Sequence, residues 1–179
     1  MKKLLTVGTL VIGLAFLSNT NLYAQEVGDI SIGGGLAYGT DLENLGIQAS
    51  GTYILNEDMR LGADIIYWLM GSDDFGGGYE LSYTFLEINA NYNYIFYNEN
   101  DMIIYALGTL GIHYGKVNYD GPDSEFFGSV DSSETELGLG VGAGLEYNLG
   151  SVKLYAEPRI FLSGFDQFSL AAGVRVPIN

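Results

Sequence analysis

The sequence predicts an all-β protein, namely an eight-stranded antiparallel up-and-down transmembrane β-barrel. From Gly28 onward, apolar and polar residues alternate with period two, and no segment shows a clear helical period. Each alternating segment keeps one apolar face over about 9–11 residues, the length that a tilted strand needs to cross a bilayer. The breaks between segments are short at one end of the predicted barrel and mostly long at the other, an asymmetry typical of membrane barrels.

The residues before this alternation, 1–24, are predicted to be a cleaved signal peptide. Two lysines precede an apolar run of 14 residues, Leu4 to Leu17, and a polar stretch then leads to Ala24. This order of charge, apolar run and small residue is typical of a secretory signal. An uncleaved N-terminal helix is less favoured, because a membrane helix needs about 20 apolar residues and no stop-transfer pattern follows. The barrel domain is therefore predicted to span residues 25–179.

The first four predicted strands each separate into an apolar and a polar face. The first, 28–38, alternates isoleucine, leucine and tyrosine with serine and glycine, and the second, 47–55, alternates apolar residues with glutamine, serine and threonine. The third, 59–70, places an arginine and an aspartate opposite its apolar face. The fourth, 81–97, is the clearest, because a glutamate and three asparagines share the face opposite a continuous apolar row.

The other four predicted strands follow the same rule. The fifth, 103–115, has a threonine and the only histidine on its polar face, and the sixth, 135–148, has glutamates and four glycines there. The seventh, 152–162, places a lysine, a glutamate and an arginine opposite its apolar face. The eighth, 167–177, places a glutamine, a serine and an arginine there.

The connections between these strands alternate in length. Tight turns are predicted at 56–58, 98–101 and 149–151, and the remaining connections are predicted to be loops at 40–46, 71–80, 116–134 and 163–166. An even number of strands places both ends of the barrel domain at the short-turn end.

Aromatic residues on the apolar face lie at its two ends, while its middle is aliphatic. This arrangement matches the two interfaces of a bilayer, whereas a water-soluble core gives no reason for it. The apolar face is therefore predicted to meet lipid. The predicted aromatic girdle consists of Tyr38, Tyr67, Tyr114 and Phe168 at the loop end and Tyr53, Tyr92, Tyr94, Phe96 and Tyr147 at the turn end.

The polar face is predicted to line a filled lumen. An eight-stranded barrel has a lumen just wide enough for side chains, and the glycines of segment 135–148 leave room for larger residues opposite. Four of the five basic residues beyond residue 24 fall on this face together with several carboxylates, and charges in a poorly hydrated lumen must be paired. The predicted lumen network consists of Arg60, Asp64, Glu87, Asn89, Asn91, His113, Glu136, Glu146, Lys153, Glu157, Arg159 and Arg175.

Some residues depart from the simple alternation. Apolar side chains fall on the polar face at five positions, Ile66, Phe85, Ile103, Leu107 and Phe161. Pro158 falls in the middle of a strand, where it has no N–H to donate, so a bulge or a gap in strand pairing is expected there.

With these features, residues 25–179 resemble the small outer-membrane β-barrel family typified by the OmpA membrane domain, OmpX and OmpW. The resemblance implies a porin-like protein of the Gram-negative outer membrane, with both termini in the periplasm. It also implies insertion by the barrel-assembly machinery, contact with outer-membrane lipid and lipopolysaccharide, and a monomeric state. Such barrels usually end in an aromatic residue, but this chain ends in Ile178-Asn179, so recognition by the machinery is assigned to the candidate final strand, 168–178.

No catalytic residue, metal site or cofactor is predicted. His113 is the only histidine and no serine lies near it in its strand, so a hydrogen-bonded lumen residue is favoured over a catalytic one. The chain has no cysteine, which excludes disulfides and leaves no His and Cys cluster for zinc or copper. The carboxylates of 116–134 are of the type that binds divalent cations, but a solvated acidic loop is favoured. A net charge of −15 disfavours nucleic-acid binding.

Three classes of function follow. The leading hypothesis is a non-enzymatic barrel with a structural or surface-interaction role and acidic extracellular loops. The alternatives are a soluble lipocalin-like binder of small apolar ligands and a membrane-embedded lipid-modifying enzyme. Eight strands enclose too little space for a large-solute pore, whereas a narrow, ion-sized leak stays open.

Overall fold

A computed structural model describes residues 26–76, 79–120 and 130–178, so the predicted signal peptide lies outside the described residues. Nine strands form in them: β1 (Ile30–Gly39), β2 (Asn44–Asn56), β3 (Met59–Trp68), β4 (Ser72–Gly76), β5 (Tyr79–Glu99), β6 (Met102–Asp120), β7 (Val130–Asn148), β8 (Lys153–Ser163) and β9 (Phe168–Ile178). In the same segments, no helix has the length and apolar character needed to cross a membrane.

Eight of the strands close into an antiparallel ring. Neighbours in the chain pair with each other, β1 pairs with β9 from Ile30↔Ile178, and β3 pairs with β5 up to Trp68↔Phe85. The short strand β4 lies outside the ring and pairs only with the start of β5. The predicted eight-stranded antiparallel architecture is therefore confirmed.

Three of the predicted loops are wrong in extent. Segment 40–46 contains the start of β2, which pairs with β1 from Asn44↔Gly39 onward. Segment 71–80 contains β4 and the start of β5. Segment 116–134 contains the end of β6 and the start of β7, which stay paired from Lys116↔Ser133 to Tyr119↔Val130. The reason is that backbone hydrogen bonding continues past the point where the apolar face stops. The alternation marked the end of the apolar band, not the end of the strands.

The side chains of the ring are apolar outside and polar inside. Ile88, Leu139 and Val141 are 47%, 54% and 50% exposed, whereas Asn91 and Arg159 are 7% and 2% exposed. A soluble barrel that binds apolar ligands would have the opposite arrangement. The outer surface is therefore the apolar one, as a lipid environment requires.

The gap expected near Pro158 is present. The β7–β8 ladder pairs Gly142 with Arg159 and resumes with Leu145 and Ala156, so Pro158 has no register partner on β7. The other side of β8 stays paired with β9 through this region. The missing N–H of proline is thus accommodated by a local interruption on one side only.

Candidate functional site

The interior of the barrel has three layers along its axis. At the turn end, Ile95, Ile103 and Tyr105 form an apolar cluster. At the loop end, a second cluster contains Trp68 and Phe85. Charged and polar side chains fill the space between them and are called here the central network.

The central network is built on arginines that each contact carboxylates. Arg60 donates from Nη1 to Oε2 of Glu146 over 2.9 Å. Arg175 donates from Nη1 to Oε1 of the same Glu146 and from Nη2 to Oε1 of Glu157 over 2.7 Å. These side chains are nearly completely buried, so each charge depends on its partners and not on water.

Arg159 extends this network to the other side of the lumen. Its Nη2 lies 2.6 Å from Oε2 of Glu157 and its Nη1 lies 2.8 Å from Oδ2 of Asp64. The amides of Asn89 and Asn91 donate to Asp64 over 3.0 and 2.5 Å. Asp64 is therefore held by one guanidinium and two amides.

Two tyrosines that are not among the predicted lumen residues complete the central network. The hydroxyl of Tyr105 donates to Oε1 of Glu157 over 2.5 Å and accepts from Nη1 of Arg175 over 3.0 Å. The guanidiniums of Arg60 and Arg175 stack on Tyr105 and Tyr155, with 4.3 and 4.1 Å to the ring centroids. Both tyrosines occupy polar-face positions in the alternation, so their register could have identified them.

The buried charges of the lumen balance. Among the residues that the structure describes, the buried acidic and basic side chains other than histidine are four carboxylates and four cations: Asp64, Glu87, Glu146, Glu157, Arg60, Lys153, Arg159 and Arg175. A neutral, densely hydrogen-bonded interior is the arrangement in which buried charge is tolerated. It also leaves the lumen filled.

Eleven of the twelve residues predicted for the lumen are buried inside the ring. The exception is Glu136, which is half-buried at the loop end beside His113 on the neighbouring strand. Lys153 is buried at the turn end. His113 is buried inside the ring, but it is not the hydrogen-bonded residue that was predicted: phenylalanine rings surround it, and neither of its ring nitrogens is hydrogen-bonded to a described residue.

The predicted girdle residues lie on the outside of the ring. Tyr114 is half-buried. The other eight are exposed by 40–60%: Tyr38, Tyr53, Tyr67, Tyr92, Tyr94, Phe96, Tyr147 and Phe168.

Three of the four glycines on the inner face of β7 lie directly against a large side chain. A Cβ added at Gly144 would lie 2.0 Å from Cζ of the Tyr105 ring, so this tyrosine fits only because residue 144 has no side chain. Gly138 and Gly140 lie in the same way against His113 and Phe161, whereas a Cβ at Gly142 would first meet the backbone carbonyl oxygen of Pro158 and then Arg159. The glycine row therefore makes room for the lumen side chains.

Three strands continue beyond the apolar band at the loop end. β5, β6 and β7 have 21, 19 and 19 residues, about twice the length that a bilayer requires. Their ends pair with one another, and β7 pairs with β8 only from Leu139 onward. We call this extension, with β4, the loop-end sheet; within the described residues, β7 forms one of its edges from Val130 to Gly138.

The described residues contain no group of three or more histidine, cysteine, aspartate or glutamate side chains placed to hold a metal ion. Part of the acidic connection considered for cation binding, residues 121–129, lies outside the described residues.

Comparisons with known proteins identify the fold. No protein-family model matches the sequence, and no match is found among curated proteins. Ail, the attachment invasion locus protein of Yersinia pestis, solved in complex with the heparin analogue sucrose octasulfate, is 18% identical, with a TM-score of 0.65 over 86% of this chain and 100% of Ail. Neisserial surface protein A is 22% identical, with a TM-score of 0.59 over 83% of this chain and 94% of that protein. A major outer membrane protein from Thermus thermophilus is 11% identical, with a TM-score of 0.65 over 86% of this chain and 100% of that chain.

Proposed function

Because the chain has the fold of small outer-membrane β-barrel proteins, we propose that it is a non-enzymatic outer-membrane protein that acts through its loop-end sheet. The observation that carries this proposal is the filled lumen. A barrel whose interior is occupied by paired charges and aromatic rings has little room for a ligand in its lumen. The part that remains available is the surface beyond the membrane, where three strands continue.

The filled lumen argues against a pore for large solutes. The guanidiniums of Arg60, Arg159 and Arg175 reach carboxylates on other strands or on the same strand and occupy the centre of the ring. Opening a path would break several buried ion pairs at once, and each broken pair costs about 3–5 kcal/mol. The lumen is therefore a structural element in this proposal.

The loop-end sheet offers two features to a partner. Its β7 edge has backbone groups that pair with β6 on one side, and an edge of this kind can accept a further extended strand. Its surroundings are acidic, with Asp73, Glu80 and Glu134 exposed. We therefore propose an extended, cationic protein segment as partner. The heparin analogue bound to Ail is a polyanion, and a similar ligand would be repelled at this acidic end.

A lipid-modifying activity is not part of this proposal. His113, the side chain that could act as a base, is fully buried among phenylalanine rings with no hydrogen-bonded serine or carboxylate among the described residues. Replacing His113 with alanine should leave the composition of the lipid A fraction unchanged. An altered lipid profile would support an enzyme instead.

The remaining parts of the proposal concern location and assembly. The pairing of Ile30 with Ile178 brings the two described ends together at the short-turn end, which supports periplasmic termini. We propose insertion by the barrel-assembly machinery through β9, a monomeric state, and contact with outer-membrane lipid and lipopolysaccharide.

Location and lumen closure are tested first. The protein should fractionate with the outer membrane and shift in gel mobility on heating, and release with soluble periplasmic proteins would contradict the proposal. In planar bilayers the ionic conductance of the protein should be too low for a channel that passes large solutes. The Glu146→Ala, Glu157→Ala double variant should conduct more than the wild type, because it removes acceptors of Arg60, Arg159 and Arg175. Equal conductance of both proteins would show that the network does not close the lumen.

The surface role is tested with an oligolysine peptide as probe and vesicles that carry the folded protein. A matched variant replaces residues 117–132 with an Asn-Gly turn, which leaves Lys116 and Ser133 as the last pair. We expect salt-sensitive binding of the peptide to the wild type and a loss of most of it in the shortened variant. Equal binding would place the interaction elsewhere and overturn the role of the sheet.

A further inference from the structure

His113 is a buried titratable group that the proposed function does not use. Its ring centroid lies 4.5 Å from that of Phe161, 6.1 Å from that of Phe165 and 6.2 Å from that of Phe85. The side chain is fully buried, and neither ring nitrogen has a hydrogen-bond partner among the described residues. Buried polar groups rarely lack a partner, so such a residue calls for an explanation.

The barrel is shaped around this imidazole. A Cβ added at Gly138 would lie 2.6 Å from Cε1 of His113, and one added at Gly111 would lie 3.0 Å from its Nε2. β6 and β7 thus each have a glycine beside the imidazole ring. The fit is close on these two sides, so hydration of a charged imidazole there would require movement of the neighbouring side chains.

The connection between β8 and β9, residues 164–167, covers this ring from the loop end. Phe165 lies over His113 and makes an edge contact with Phe85, with 4.9 Å between the ring centroids. Gly164 has a φ of +83° and approaches Gly138, to whose Cα a Cβ at this position would come within 3.1 Å. The side-chain amide of Gln167 donates to Oε1 of Glu87 and so fixes the end of the connection inside the ring.

Charged groups approach His113 from each element that packs against it. In the strand register Glu87 on β5 and Glu136 on β7 lie directly opposite it. Arg159 on β8 and Asp64 on β3 lie deeper in the lumen and pair with each other. The exposed Asp166 belongs to the connection, and Lys116 lies on the same strand as His113.

Glu87 links the histidine to the connection. Its Oε1 accepts hydrogen bonds from Nε1 of Trp68 over 3.0 Å and from Gln167, whereas its Oε2 has no partner among the described residues. A protonated His113 would have two N–H donors and a positive charge, with three aromatic rings around it. Oε2 of Glu87, on the residue paired with His113 in the strand register, is then an acceptor that could satisfy one of these donors.

We propose that the 164–167 connection is an acid-sensitive cover of the lumen and that His113 is its trigger. In the neutral state the imidazole packs against Phe165 and the cover is closed. When a proton from water binds the imidazole, the charge draws water and the Glu87 carboxylate toward it, which weakens the hydrogen bond from Gln167. The cover then loosens; in this step an O–H bond of a hydronium ion breaks as the N–H bond of the imidazole forms, and no other covalent bond changes.

The protein contains its own reporter for this change. Trp68 is the only tryptophan, is fully buried and donates to the same carboxylate of Glu87. The full-length mature protein, folded in phosphatidylcholine vesicles, is titrated from about pH 8 to about pH 4, a range that includes and extends below the interval in which exposed histidines change charge. We expect the Trp68 emission to shift to the red and its quenching by acrylamide, a neutral quencher, to rise as the pH falls.

The key variant is His113→Phe, which keeps an aromatic ring but cannot be protonated. It should show neither the red shift nor the rise in quenching; His113→Gln serves the same purpose if the first variant lacks the heat-dependent gel shift of a folded barrel. Asp166→Asn, which removes an exposed acid of the connection itself, should keep the wild-type titration. The proposal is overturned if the wild type shows no transition, if both His113 variants titrate like it, or if Asp166→Asn abolishes the transition.

Discussion

Arg60 on β3 and Glu146 on β7 are hydrogen-bonded across the lumen, with 2.9 Å between Nη1 and Oε2. The two strands are three steps apart in the ring and do not pair with each other. Glu146 also accepts a hydrogen bond from Arg175 on β9. One carboxylate therefore connects three strands that are not neighbours, so the network stabilises the barrel across its lumen.

Replacing Glu146 with alanine should destabilise the folded barrel strongly. The change leaves Arg60 and Arg175 without a carboxylate they both contact, and a buried charge that loses its partner costs about 3–5 kcal/mol. The free energy of unfolding is measured by urea titration in lipid vesicles, with the emission of Trp68 as the signal.

The matched control is Glu99→Ala, since Glu99 is an exposed residue at the turn end. It should change the free energy of unfolding by less than about 0.5 kcal/mol. Equal effects of the two substitutions would mean that Glu146 is not held in a buried network.

Replacing Gly144 with alanine should also destabilise the barrel, for a steric reason. The new Cβ would lie 2.0 Å from the ring of Tyr105, which is held by Glu157 and Arg175 and cannot turn away freely. Forced overpacking of this kind costs about 1–3 kcal/mol. The measurement is the same urea titration in vesicles.

Gly108 provides the control for that substitution. It lies on the outer face of β6, and a Cβ there would have its nearest neighbour at 3.9 Å, the carbonyl oxygen of Tyr92. Gly108→Ala should therefore be tolerated without loss of stability. If Gly144→Ala were equally harmless, the close contact with Tyr105 would be disproved.

Removing the hydroxyl of Tyr105 isolates its polar role from its packing role. In Tyr105→Phe, Glu157 loses a donor and Arg175 loses an acceptor, while the ring that lies against Arg60 remains. A buried group left without its partner costs about 1–3 kcal/mol, to be measured as a lower free energy of unfolding. Tyr92→Phe, on the exposed outer face, should cost nothing measurable, and a similar loss in both would argue against the buried hydrogen bonds.

The alternation of the sequence predicted the two faces of every strand of the ring, because a side-chain period of two follows directly from strand geometry. It could not predict how far the strands continue. The apolar row of segment 103–115 ends at Tyr114, yet β6 runs to Asp120 because its backbone stays paired with β5 and β7. Strand length here depends on neighbours, which no local pattern reveals.

The contacts between side chains in the lumen could not be predicted from the sequence either. Arg159 was expected to be paired, but which carboxylate it reaches depends on the closure of the ring, which brings β3 opposite β8. The apolar residues on the polar face, such as Ile66 and Phe85, stood out as exceptions. The structure accounts for these two as members of the loop-end cluster, since a lumen end can be filled by apolar side chains as well as by charges.

The orientation of the barrel toward lipid is tested by placing an arginine at two depths on the outer face of β7. Val141 lies midway between Tyr147 and Thr135, the residue paired with Tyr114 of the girdle, and both Val141 and Thr135 are exposed. Val141→Arg should cost about 2–4 kcal/mol in vesicles, because the charge enters the middle of the hydrocarbon, whereas Thr135→Arg at the interface should cost about 0–1 kcal/mol. The dependence on depth is what matters, because an outer face that met water would tolerate arginine equally well at both positions. Equal free energies of unfolding for the two variants would therefore refute a lipid-facing surface, and with it the proposed location of the protein.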